Sequence, residues 1–331
     1  MPPVWPLTRL SLYLFLTGAK TMNTIQFTVV IPLYNKSECI VRALQSVHAQ
    51  HYQAAEIIVV DDGSTDDSPQ KVIDLGLPNL RLVRQANQGV SVARNNGVKV
   101  ASSDYVAFLD ADDTWSPFFL ARMAELIQRF PAAGLFASRY QKVLDNGEYI
   151  DAKIALTDWT PEGYEMDNYF EVAANGDLPF TMSSLVVEKG AFNQLGGFPV
   201  GEWMGEDQSF YVQAALKSRI AYSPAIESFY FLGAPGSACD KAPPTQLCPF
   251  AERLLTAVKN GEVTHIAMAH KYVATHICDL AKRNIRHRLY GHALRLLANP
   301  VARAKPLHWS AYLLLSLTKG ALSRMSLGLI R

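Results

Sequence analysis

The stretch "FTVVIPLYNKSECIVRALQSVHAQ", residues 27–50, runs within a few residues into "EIIVVDDGSTDDS", residues 56–68. The first apolar, β-branched run reads as a strand. Ile40, Val41, Leu44 and Val47 then recur at helical spacing, and a second unbroken apolar run ends in a pair of aspartates. Strands that are apolar throughout, rather than alternating, are those covered on both faces. The unit is therefore β-α-β with a parallel pairing.

Outward from this unit the alternation continues. A helix is predicted from Ser68, a strand over "LRLVRQ" (80–85), a helix over "VSVARNNGVKVA" (90–101) and a strand over "YVAFLD" (105–110). The expected fold class is α/β, a mostly parallel sheet flanked by helices. Ligands of such sheets bind beyond the carboxyl ends of the strands. The polar clusters "YNKSE", "DDGSTDD" and "DADD" each follow a strand.

Past residue 130 the pattern changes. "GLFASRYQKV" and "EYIDAKIAL" flank "DNG", a hairpin signal. "FTMSSLVVEKGAFNQLGGF" reads as a strand entering a short helix, "GEDQSFYVQAALKS" (205–218) as a helix, and "RIAYSP" and "IESFYFLG" as two further strands. Residues 236–249 read as a linker, and 250–298 and 306–328 have helical patterns throughout, so a C-terminal helical extension is expected.

Residues 1–24 form an N-terminal extension. "LSLYLFLTG" lies between Arg9 and Lys20, is too short to span a bilayer and lacks a clear cleavage site. It reads as an over-extended start before Met22, with a weak anchor and then a signal peptide as the alternatives. Cys39, Cys239, Cys248 and Cys278 make no C-x-x-C pair or zinc spacing and read as free thiols of a reducing compartment.

The net charge of +1 conceals an asymmetry: residues 264–331 carry eleven Lys and Arg against one acid, Asp279, while the preceding chain has an excess of acids. A basic segment on an acidic body points to an anionic partner. The mixture of Leu, Trp and Tyr with spaced Lys and Arg in 305–331 has the character of helices lying on an anionic bilayer; the alternative is a helical cap with solvated cations. No nucleic-acid module accompanies the charge, and nucleic acid is not the expected partner.

Four polar clusters carry candidate chemistry. In "YVAFLDADDTW", Asp110 and Asp112 at i and i+2 can converge on a hard divalent cation, and Mg²⁺ or Mn²⁺ prefers oxygen ligands. A solvated turn is the alternative. After it, Ser116 is expected as a helix cap with Pro117 in the first turn. In "VVDDGSTDDS", Asp61 and Asp62 end a strand, and Asp66, Asp67 or Ser68 can cap the next helix. In "IPLYNKSE", Pro32 and Asn35 fit a turn and Tyr34 can stack on a planar base or pack as a loop aromatic. In "WMGEDQSF", Glu206 and Asp207 either complement a helix N-terminus or place a carboxylate as general base on a hydroxyl.

In order, "VVIPLYNKSECIVRALQSV", "EIIVVDDGSTDDS", "NQGVSVARNNGV", "YVAFLDADDTW", "GGF" and "GEDQSF" resemble the family 2 glycosyltransferases of GT-A, Rossmann-like fold, over roughly residues 26–235. The resemblance implies a nucleotide-sugar donor, with UDP the expected nucleotide. It places Pro32, Tyr34, Asn35, Glu38, Asp61, Asp62, Arg94, Asp110 and Ala111 around the donor. Tyr34 would border the base, Asp61 accept from it and Asp62 lie near the ribose. Asp112, with Asp110, would hold Mn²⁺ or Mg²⁺, and Asp207, supported by Glu206, would deprotonate the acceptor. Asp113 is expected to act behind them.

Inverting transfer of one sugar to a glycan or lipid-linked acceptor is what the resemblance implies, in cell-surface polysaccharide or lipopolysaccharide synthesis. The site of action would be the inner face of the cytoplasmic membrane. The Q-x-x-R-W motif of processive members is absent: "ALKSRIAYSP" stands in its place. The competing readings are a degenerate sugar-nucleotide binding protein and a nucleotidyltransferase. Trp159, Tyr164, Tyr169 and Trp203 are candidates for stacking on sugar rings, with core packing the alternative for at least half.

Overall fold

The computed structural model describes residues 25–157, 159–233 and 242–328. The expectations for residues 1–24, for Cys239 and for the first part of the 236–249 segment lie outside the described residues.

The N-terminal half alternates as its sequence predicts: β1 (Phe27–Leu33), α1 (Ile40–His48), β2 (Glu56–Asp61), α2 (Ser68–Asp74), β3 (Leu80–Arg84), α3 (Val90–Val100) and β4 (Tyr105–Phe108). β1 pairs in parallel with β2 on one side and β4 on the other, and β2 with β3. Val29, Val30 and Ile31 are wholly buried, as strands covered on both faces require. Helix α3 lies so close over β1 that a Cβ on Gly97 would stand 2.3 Å from Val30 Cγ1. Only glycine allows that approach.

The chain then makes β5 (Thr114–Trp115), α4 (Phe119–Arg129), β6 (Leu135–Val143), β7 (Tyr149–Asp151), β8 (Tyr164–Glu165), α5 (Tyr169–Asn175), β9 (Leu185–Glu188), α6 (Lys189–Leu195), α7 (Glu206–Lys217) and β10 (Ile220–Phe231). One sheet holds all ten strands, with its main path in the order β3-β2-β1-β4-β9-β6-β10-β5. β9 enters antiparallel to both β4 and β6, while β10 runs parallel to β6. The "DNG" hairpin joins β6 to β7 as expected.

Two local expectations are corrected. "RIAYSP" and "IESFYFLG" are not two strands but one, β10, whose ladder with β6 shifts register between Ser223 and Ser228. Pro224 lies at that irregularity, where its missing N–H cannot serve a regular ladder. Ser116 does not cap α4, whose N-cap position is Phe118. Instead "TW" forms β5 against Ser228 and Phe229 of β10, which ends the far side of the sheet. Ser116 Oγ accepts from Phe118 N and donates to the Glu227 carboxylate.

The C-terminal segment forms α8 (Pro249–Lys259), α9 (Ile266–Arg286), α10 (Tyr290–Leu297), a 3₁₀ turn (Pro300–Ala304) and α11 (Pro306–Gly328). Phe250, Leu254, Tyr272, Val273 and Ile277 of α8 and α9 bury into the same core as Tyr169, Phe180, Phe210 and Tyr211. Burial of that apolar surface fastens the helices to the rear of α5 and α7. Among the described residues no helix is long and apolar enough to cross a membrane. Cys39, Cys248 and Cys278 are free and buried.

Candidate active site

Because β1, β2 and β4 run in parallel, their carboxyl ends bring three loops to one edge. The β1 and β2 loops are sewn together by Asn35. Its backbone has φ of 50°, a conformation Asn tolerates. Its side-chain oxygen accepts from Thr65 N at 2.7 Å, and its own N–H donates to Ser64 Oγ at 3.0 Å. Pro32 is buried within β1, Tyr34 is exposed beside the loop and Glu38 is exposed at its far end.

Asp61 and Asp62 are almost fully buried. Asp61 Oδ1 accepts from Ser64 N at 2.9 Å, and Arg84 lies near its other oxygen. Asp62 accepts from Gln85 Nε2, Gln88 N and Gly89 N, each at 2.8 Å. Asp62 thus shapes the loop that leads into α3. Asp66, not the cap position itself, accepts from Ser68 N at 3.0 Å.

Each of the three carboxylates of the "DADD" turn has its own partners. Arg94 Nη2 donates to Asp110 Oδ1 at 2.7 Å. Lys36 Nζ lies 2.7 Å from Asp112 Oδ2. Asp113 is fully buried and accepts from Ser183 Oγ and, at 3.0 Å, from Phe231 N. Burial, then the neighbouring Asp112 and Asp110, push the Asp113 carboxyl well above its usual range. Ala111 is buried between the two outward aspartates. Asp113 therefore anchors the turn from its buried side.

Ser183 and Arg42 also hold the turn, and the sequence reading missed both. Ser183 Oγ accepts from Asp110 N at 3.1 Å and donates to Asp113, so one hydroxyl holds both ends of the turn. Arg42 donates to the Asp112 carbonyl at 2.7 Å, with its guanidinium 3.6 Å from the centroid of the Phe231 ring. A serine inside a 3₁₀ turn and an arginine on a helix have no distinguishing pattern; Lys36, though inside the "YNKSE" cluster, was likewise not singled out.

The fourth cluster approaches from the opposite side. Gly205, with φ of 82°, sets the start of α7. Glu206 and Asp207 follow in its first turn, where the helix dipole favours them. Arg94, only 3% exposed, reaches Glu206 Oε1 at 3.5 Å with its other nitrogen. One buried guanidinium thus joins the "DADD" turn to the "ED" pair. Burial opposes the charge on Arg94, but Asp110 and Glu206 more than offset it and hold its pKa above the usual value.

Asp207 is pushed up to about 7, first by burial and then by Glu206, against the opposing pull of Gln208 N and Arg94. A carboxylate with that affinity is suited to take a proton near neutral pH. Its helix is braced from the C-terminal segment. Arg253 binds Glu202 through two nitrogens at 2.7 and 2.8 Å, and Tyr272 donates to Gln208 Oε1 at 2.9 Å. Of the four candidate stacking aromatics, Tyr169 is buried and Tyr164 packs on Tyr222, whereas Trp159 and Trp203 are about half exposed, at 51% and 52%.

The residues expected to hold a divalent ion are Asp112 and Asp110. The Asp112 carboxylate already carries the Lys36 ammonium, so it is placed to hold a positive charge. Asp110 Oδ1 is taken by Arg94. No group of three or more His, Cys, Asp or Glu suited to a metal occurs among the described residues. The residues fit an ion held by one or two carboxylates and completed by phosphate oxygens, the usual Mg²⁺ arrangement.

Comparison with known proteins finds glycosyltransferase relatives. Residues 28–184 match the family model described as glycosyl transferase family 2. The chain is 45% identical over 97 residues to the uncharacterized glycosyltransferase YibD of Escherichia coli, covering 29% of this chain and 28% of that one. It is 38% identical over 120 residues to the amylovoran biosynthesis glycosyltransferase AmsB of Erwinia amylovora, covering 34% and 39%. The chain thus spans about a third of the length of these curated relatives. In structure it is similar to S. aureus TarS 1–349 in complex with UDP-GlcNAc. The TM-score is 0.63 at 19% identity, over 89% of this chain and 91% of that one, a likeness of fold.

Proposed function

From the premise that residues 28–184 carry a glycosyltransferase domain of family 2 type, we propose that the protein transfers a single sugar, with inversion, from a UDP-sugar to a hydroxyl. The acceptor would be a glycan or a lipid-linked glycan of cell-surface polysaccharide synthesis, met at the inner face of the cytoplasmic membrane. AmsB, named for amylovoran biosynthesis, and the UDP-GlcNAc complex of TarS lend support to the substrate class.

The observation that carries the reading is Asp207, a carboxyl pushed up to about 7 and within electrostatic reach of Asp110 across Arg94. Asp207 accepts the acceptor's proton as its oxygen attacks the anomeric carbon. Attack from the face opposite the leaving group inverts that centre. Glu206 and Arg94 hold the charge balance around the base. Asp61 and Tyr34 border the nucleoside, with the Asn35 stitch holding their loops in register. A divalent ion bound at Asp112 would supply charge neutralisation for the departing diphosphate.

The test is a panel of nucleotide-sugars read by thermal shift with Mn²⁺, followed by UDP release with candidate acceptors. A bound donor raises stability by mass action. The expected result is a rise in melting temperature with one UDP-sugar and turnover lost on the order of 10²–10⁴-fold in Asp207→Asn, with donor binding kept. Turnover of sugar-1-phosphate with a nucleoside triphosphate would instead mark a nucleotidyltransferase.

A further inference from the structure

Helix α11 is apolar on its outward face as well as on the face that packs inward. Its inward face comprises Trp309, Tyr312, Leu313 and Ser316: Trp309, Tyr312 and Leu313 pack against Ala281, Ile285, Ala293 and Leu297. Trp309 Nε1 also donates to the Leu297 carbonyl at 2.9 Å, and Ser316, fully buried, bonds its hydroxyl to Tyr312 O. The outward face carries leucines. Leu307 is 82% exposed, Leu314 63%, Leu317 53% and Leu315 40%. Leu307, Ala311, Leu314 and Thr318 follow the i, i+4, i+7, i+11 rule of one stripe, and Leu315 and Leu317 widen it on either side. Single exposed leucines are ordinary, but four on one helix face make a patch.

The surroundings of the stripe are cationic. Lys319, exposed one turn beyond Leu315, runs along the same flank. Arg303 is exposed with its guanidinium 5.6 Å from the Trp309 ring. Lys282, Arg286, Arg288 and Arg295 are exposed on the neighbouring α9, α10 and the turn between them, and no ion pair is recorded for them among the described residues. Residues 264–331 contain a single acid, Asp279. An apolar stripe on a segment where eleven Lys and Arg face one acid is complementary to anionic headgroups over acyl chains. A contact between two copies would set like charges against each other.

We propose that α11 lies along an anionic lipid surface, with Leu307, Leu314, Leu315 and Leu317 entering the acyl boundary and the surrounding Lys and Arg at the headgroups. The proposal gives a surface to the lipid-linked acceptor inferred above and rests on that reading for its purpose. Its test needs neither donor nor acceptor, so the two fail separately.

The full chain is floated with phosphatidylcholine vesicles containing rising fractions of phosphatidylglycerol, at low and at high salt. Binding is expected to rise with the anionic fraction and to weaken as salt screens the cations. The Leu314→Asp, Leu317→Asp double variant is expected to bind about tenfold more weakly or worse, because it sets two charges in the acyl boundary. Its melting temperature should match the wild type, since both leucines face solvent. A Lys282→Gln, Arg286→Gln, Arg288→Gln variant should lose the dependence on phosphatidylglycerol. Binding that ignored the anionic fraction would overturn the proposal. So would a wild type that sediments as a dimer, becomes a monomer in the double-Asp variant and leaves vesicles unbound; the leucine face would then join two copies of this chain.

Discussion

Lys36 Nζ stands 2.7 Å from Asp112 Oδ2, with both side chains largely buried at 14% and 19% exposure. Asp110 and Asp113 are held by Arg94 and by Ser183 with Phe231 N, respectively. Asp112 is therefore the carboxylate of the turn whose partner is an ammonium on a neighbouring loop. A divalent ion and Lys36 would compete for that oxygen. Lys36→Met is expected to tighten Mn²⁺ binding, without nucleotide, by about tenfold, which is 1.4 kcal/mol. Titration followed by the Mn²⁺ electron spin signal measures it. Unchanged or weaker binding in the variant would show that Lys36 does not compete.

The raised affinity of Asp207 for its proton fixes a pH dependence. The base works only when deprotonated. With its pKa at about 7, first through burial and then through Glu206, activity should rise with pH through neutrality. The acid limb of kcat/KM is expected to have an apparent pKa near 7. A limb near 4, the range of an ordinary carboxylate, would remove Asp207 from the role of base.

Gly205 has φ of 82°, and a Cβ placed there would meet Phe250 Cδ1 at 2.9 Å. Gly205→Ala is thus strained by both conformation and contact. The left-handed backbone alone costs about 1–2 kcal/mol. Because Phe250 belongs to α8, relief must move the start of α7 or the helix that braces it. The expected outcome is a lower melting temperature and kcat reduced together with it. Phe250→Leu in the same background should recover part of both, by removing the ring edge.

The half of the fold made of local signals was legible in the sequence. Continuous β-branched strands and helices at period 3.6 gave β1 to β4 and α1 to α3 within a few residues. Parallel pairing then forced the polar clusters to one edge. What could not be read is non-local. β9 comes between β4 and β6 although it follows both in sequence, and no feature of "LVVE" names its neighbours. Ser183 bonds Asp110 and Asp113 across some seventy residues, and a serine hydroxyl carries no periodic signature. Pro224 gave "RIAYSP" the look of a strand end, yet the ladder with β6 resumes after a register shift. The aspartates were legible as clusters at one edge of the sheet; which of them faces outward depends on Lys36, Arg42 and Arg94, whose partners lie on other elements.

Arg94 is the link between the two halves of the site, and its loss has a readable sign. Its guanidinium reaches Asp110 Oδ1 at 2.7 Å and Glu206 Oε1 at 3.5 Å. Its charge pulls the Asp207 pKa down against burial and Glu206. Arg94→Gln removes that pull, so the acid limb of kcat/KM should move above 7. Arg94→Lys keeps the charge but not the planar fork that spans both carboxylates. It should leave the limb near 7 while kcat falls, because one of the two contacts is lost. The pair separates electrostatic tuning from simple bracing: if Arg94→Gln lowers activity without moving the limb, Arg94 braces the turn and does not tune the base.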